Sequence, residues 1–61
     1  MKTNEIQMFA RIAALQFDKL YKNDKSADFV LHCRKFYHEY RLTGCTVGEF
    51  ESMVYAEYAK I

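Results

Sequence analysis

The chain has no proline, and its two glycines, Gly44 and Gly48, both fall late in the sequence. Proline and glycine are the residues least tolerated inside a helix, so most of the chain carries no strong helix breaker. Strand-like alternation bounded by turn dipeptides is missing as well. What recurs, three times, is the 3.6-residue apolar rhythm of an amphipathic helix. The expected fold is therefore all-α: a compact three-helix bundle forming one domain over residues 1–61, with helices at about 5–22, 27–43 and 47–60.

Local signals mark the helix ends. Asn4 can cap the first helix, with Gln7 three residues on completing a pair that resembles a capping box. Its inner face is expected to carry Ile6, Phe9, Ala10, Ala13, Phe17, Leu20 and Tyr21. The polar run "KNDKS", Lys22 to Ser26, is the first connection. Ser26 or Asp24 can cap the second helix, with Asp28 favourable in its first turn. Phe29, Val30, Cys33, Phe36, Tyr37 and Tyr40 share its apolar face, and Gly44 is expected to supply the left-handed residue that ends it. The third helix opens with Thr46 and Glu49 as a capping box and Cys45 against Phe50 as a hydrophobic staple. Val47, Phe50, Val54, Tyr58 and Ile61 then face inward, with Met53 at the edge.

A chain of 61 residues buries only about 60% of its extended surface on folding, so stability must come from a dense core or from a partner. Hydrophobic residues make up 51% and aromatic residues 16%, a surplus for so small a domain. Nine basic and eight acidic side chains leave a net charge of +1, a weak footprint for a dedicated nucleic-acid binder. No run of about 18 apolar residues is present to span a membrane. Glu5, Gln7, Arg11 and Gln16 interrupt any secretory core near the start, so the expected setting is the cytoplasm, with Met1 as the natural start.

Two sets of residues invite a chemical reading and lose it on geometry. His32, Cys33, His38 and Cys45 are the right types for a zinc shell. On a helix, however, His38 is turned roughly 140° from Cys33 and His32 roughly 100° the other way, so the ligands diverge. A Cys33–Cys45 disulfide fails because the rest of the second helix carries Cys45 beyond the reach of about 7 Å between Cα atoms. Both thiols read as small apolar residues, and no base is placed beside either. No catalytic residue, metal, cofactor or small-molecule substrate is assigned, and the chain is not expected to be an enzyme. The second reading is a helix-turn-helix across Gly44. Tyr40 stands where a small residue is needed, and Glu49 and Glu51 stand where phosphates require Lys or Arg.

The surfaces carry more. Met8, Ile12 and Leu15 repeat at i, i+4 and i+7 opposite the main stripe of the first helix, and Lys19 continues the line. Leu31 and Leu42 on the second helix and Tyr55 on the third likewise lack an internal partner. Contiguous exposed apolar groups mark interfaces, so these seven residues are the expected partner-binding set. The competing expectation is that the first helix lies between the other two and buries both stripes. The expected function is a non-enzymatic protein-interaction module: a stoichiometric regulator or inhibitor of a host macromolecule, of the type carried by phages and mobile elements. Its partner is another protein, itself as a homodimer, or both. The alternative is a nucleic-acid-binding regulator using Arg34, Lys35, His38 and Arg41 on the outer face of the second helix. A structural or assembly-accessory role is third.

Overall fold

Among the described residues there are three helices and no strand: α1 (Thr3–Asn23), α2 (Phe29–Glu39) and α3 (Val47–Tyr58), packed as a three-helix bundle. The computed structural model describes the backbone from Thr3 and the side chains from Glu5 to Ile61. Helix α1 starts ahead of Asn4, which lies within it, and the expected Asn4 cap falls outside the described side chains. At about 1.5 Å per residue its 21 residues span roughly 31 Å, matching the 32 Å long axis of the molecule. Helices α2 and α3, with 11 and 12 residues, lie along one side of it.

The core is ordered by side-chain size. Ala10, Ala13 and Ala14 are fully buried in the middle of α1, where small residues let the other helices approach closely. An aromatic cluster lies to each side of this alanine stretch. At one end Phe36 stacks on Phe50 with ring centroids 5.7 Å apart, and Phe9 meets Phe36 edge-on at 6.3 Å. At the other, Phe17 meets Phe29 at 5.1 Å and Tyr58 at 5.5 Å, both edge-on. These offset and edge contacts suit the quadrupole of the rings. Ile6, Cys33, Leu42 and Val54 complete the buried set. His32 links α2 to α1: its Nε2 lies 3.1 Å from the Ala13 carbonyl oxygen, and its ring packs on Phe17.

The expected start of α3 is present in full. The Thr46 side chain accepts from the Glu49 N–H at 3.1 Å, and Glu49 Oε1 accepts from the Thr46 N–H at 2.8 Å. Cys45 is half-buried against the core that holds Phe50, as a staple requires. A side chain from the preceding helix secures the same corner: the Tyr37 hydroxyl donates to the Cys45 carbonyl at 2.6 Å.

Helix α2 differs from expectation at both ends. Asp24 and Ser26 are engaged with each other, the Ser26 N–H and hydroxyl both donating to Asp24 Oδ1 at 3.0 and 2.6 Å. That closes a turn and leaves Asp28 as the cap, accepting from the Leu31 N–H at 3.1 Å. At the far end the helix stops at Glu39, four residues before the expected Thr43. Arg41 takes the left-handed conformation with φ 51°, and Gly44, at φ 90°, lies further along in the loop. The Leu42 N–H donates to the Tyr37 carbonyl and the Arg41 N–H to the His38 carbonyl, each at 3.2 Å. This is the Schellman closure, with Leu42 as the residue that turns back onto the core. A non-glycine residue at positive φ costs on the order of 1 kcal/mol, and burying a leucine returns more than that.

Leu20, Tyr21, Val30, Tyr40 and Ile61, expected on inner faces, are exposed. Leu20 and Tyr21 lie in the last turn of α1, which α2 and α3, each little more than half as long, do not fully cover.

Candidate protein-docking site

The outer face of α1 is bare. Met8, Ile12 and Leu15 are 54%, 39% and 51% exposed, on the side of the helix opposite Ala10, Ala13 and Ala14. The second stripe is therefore surface, and the expectation of a sandwiched α1 is set aside. Lys19 continues it one turn further and is exposed, as is Glu5 one turn before Met8. Successive members are three or four residues apart, so their side chains are neighbours along one line.

This stripe borders a groove between α1 and the end of α3, about 390 Å³, lined by Gln7, Arg11, Leu15, Glu57, Lys60 and Ile61. A smaller hollow beside it brings Met8 to the same Gln7, Arg11 and Glu57. Glu57 is the electrostatic centre of the groove. Lys60 Nζ donates to its Oε2 at 3.1 Å, and the charges of Lys60 and Arg11 act in the same direction. Together these hold the Glu57 carboxyl below the ordinary carboxylate range, against a smaller opposing effect of burial. Helical spacing sets Glu57 beside the inward-facing Val54 on α3, and its pairing with Lys60 meets the charge there. Leu15 and Ile61 form the apolar rim.

The other expected partner-binding residues separate. Leu31 is exposed on the outer side of α2, and Tyr55 is 66% exposed on α3, its ring edge-on to Phe29 at 6.1 Å. Leu42 is a correction: at 4% exposure it is part of the core. Its expected outward position assumed a helix that continues past residue 42, whereas the chain has already turned back at Arg41.

No protein-family model, characterised protein or solved structure matches this chain.

The basic residues proposed for nucleic acid lie on the surface. Arg34, Lys35 and His38 are exposed on α2, and Arg41 is exposed on the turn that follows it. Among the described residues none of the four is in an ion pair. His38 packs edge-on against the Tyr37 ring at 5.4 Å. The helix-turn-helix reading meets two further obstacles. Glu49 is committed to the cap of α3, and α2 ends at Glu39, so seven residues stand where the motif has a turn of about three or four.

Of the candidate metal ligands, His32 faces the Ala13 carbonyl, Cys33 is in the core, His38 is outside and Cys45 lies at the corner. Among the described residues no group of three or more His, Cys, Asp or Glu side chains comes together. Burial, followed by the charge of Glu51, pushes the Cys33 thiol up to about 11, so it stays protonated. Burial and then Glu49 also raise the Cys45 thiol. Neither has the cationic surroundings that make a thiolate nucleophile. Among the described residues no helix is long and apolar enough to cross a membrane.

Sequence reasoning overlooked His32 as a structural anchor, whereas Glu57, expected from its inward azimuth to reach water or meet a Lys or Arg, does pair with Lys60. His32 stands at the margin of an apolar stripe, where periodicity cannot say whether a polar side chain turns toward the core or toward water.

Proposed function

We propose that this chain is a protein-binding module that acts by stoichiometric association, with the outer face of α1 as its docking surface. The observation that carries this reading is the exposed Met8–Ile12–Leu15 stripe on the helix side turned away from the core. Three adjacent apolar side chains left in water cost hydration free energy that a partner surface would recover, at about 25 cal/mol per Å² removed from water. The groove beside it supplies the polar rim typical of interfaces. Stoichiometric control of another macromolecule, as a regulator or inhibitor of the kind phages and mobile elements carry, is the role such a module would serve.

The test is capture of a binding protein from lysate of the source cells by wild-type and Ile12→Glu chains. Ile12 is a surface position, so the variant is expected to retain the helical circular-dichroism signal and to lose the captured protein. Equal capture by both chains overturns the reading.

The second reading rests on the exposed basic residues of the α2 side, Arg34, Lys35, His38 and Arg41, none of which is in an ion pair among the described residues. It requires retention on DNA or RNA at low salt, an affinity that falls steeply as salt rises, and loss on Arg34→Ala with Arg41→Ala. A flat salt response removes it.

A further inference from the structure

We infer that the α1 stripe pairs with the same stripe of a second copy of this chain, antiparallel and with Ile12 on the two-fold axis. This deepens the docking reading and rests on it. The argument is the order of residues along the exposed face: Glu5, Met8, Ile12, Leu15, Lys19. The intervals are three, four, three and four residues, the spacing of a helix–helix seam. Met8 and Leu15 flank Ile12 at nearly equal distances. Glu5 and Lys19 lie seven residues to either side, about 10.5 Å along the axis.

A two-fold antiparallel pairing through Ile12 therefore sets Met8 across from the partner's Leu15. It also sets Glu5 across from the partner's Lys19, twice over. The face is complementary to itself in both shape order and charge order, as a closed two-fold interface demands. A parallel pairing would oppose like charges at both ends. Helix dipoles give the same preference, since antiparallel axes place the positive end of one against the negative end of the other. Among the described residues neither Glu5 nor Lys19 forms an ion pair within its own chain, so both are available. The net charge of +1 per copy adds little repulsion. Pairing through α1 leaves Arg34, Lys35, His38 and Tyr55, on α2 and α3, outside the contact.

The test is sedimentation equilibrium across about three decades of concentration up to roughly 1 mM, the range suited to an interface one helix wide. The wild-type mass is expected to rise from 7.3 kDa toward twice that value. Ile12→Glu is expected to remain a helical monomer. Glu5→Lys and Lys19→Glu each convert two attractions into two repulsions, with an expected rise in Kd of roughly tenfold. The double variant Glu5→Lys/Lys19→Glu restores opposite charges in the antiparallel arrangement and is expected to dimerise like wild type. A parallel dimer would keep like charges opposed in wild type and in every one of these variants, so unchanged Kd values for the single swaps overturn the inference. A wild-type mass of 7.3 kDa at all concentrations overturns it too. In that case the docking reading survives if capture from lysate still depends on Ile12, and falls if it does not.

Discussion

Single residues account for much of what this chain can tolerate. The two glycines make the contrast plain. Gly48 lies in the first turn of α3, where an added Cβ would meet nothing closer than Thr46 Oγ1 at 4.0 Å. Helical glycine costs roughly 0.5–1 kcal/mol relative to alanine, so Gly48→Ala is expected to raise the melting temperature by several degrees. Gly44, at φ 90°, is the opposite case, and Gly44→Ala is expected to lower it by a similar amount. Differential scanning calorimetry on the two variants reads both signs. The cysteines are a second residue-level case. Cys33 is fully buried with its thiol pushed up to about 11, whereas Cys45 is half-buried at the corner. Alkylation of the native protein, read by mass spectrometry, is expected to modify Cys45 first and to reach Cys33 only through unfolding. Simultaneous labelling would contradict the packing described.

At the scale of the element, what could be read in advance was whatever is decided within four residues. The start of α3 is such a case: Thr46 and Glu49 satisfy each other's backbone, and no distant group is needed. The end of α2 is the counter-example. Gly44 reaches positive φ at no cost and so is the locally preferred stop, yet the turn occurs at Arg41 because Leu42 has a place in the core. Tertiary burial overrode backbone preference, and the helical azimuth assigned to Leu42 failed with it. That is why Leu42 was misplaced among the docking residues, while Met8, Ile12 and Leu15, in the middle of an uninterrupted helix, lie on the face their spacing indicated. The groove between α1 and α3 was not legible, because it joins Gln7 and Arg11 to Glu57 across fifty residues. Its pH dependence follows from Glu57. The folded-state value lies below the unfolded one, so the stabilisation is complete above the ordinary 4.5 and is lost as pH falls through the folded value. Urea unfolding of wild type and Glu57→Gln between about pH 5 and pH 3 is expected to show a stability difference that shrinks with acidification. A constant difference would mean that the carboxylate does not hold the groove.

For the whole molecule, the arrangement of large rings around small alanines sets the limit on change. The fully buried Ala14 lies where α1 approaches its neighbours. Ala14→Leu is expected to cost about 1–3 kcal/mol by overpacking, a large share of the roughly 3–9 kcal/mol available to a domain of this length. Denaturant titration would show it as an earlier midpoint. A variant as stable as wild type would mean that the helices are not closely apposed there. The apolar surplus evident in the composition thus divides in two. One part fills this core, and the other lies exposed along α1 and at Tyr55.

The connections have a consequence in time. Segments of only five and seven residues, 24–28 and 40–46, join the helices, so little loop entropy opposes bringing them together. Small helical bundles fold in about microseconds to milliseconds. Without proline, no peptide-bond isomerisation imposes a slow refolding phase. Newly made or transiently opened copies therefore regain structure long before they meet one another. The exposed α1 stripe is thus presented to water almost entirely by folded chains, and the interval in which loose apolar segments could associate is short.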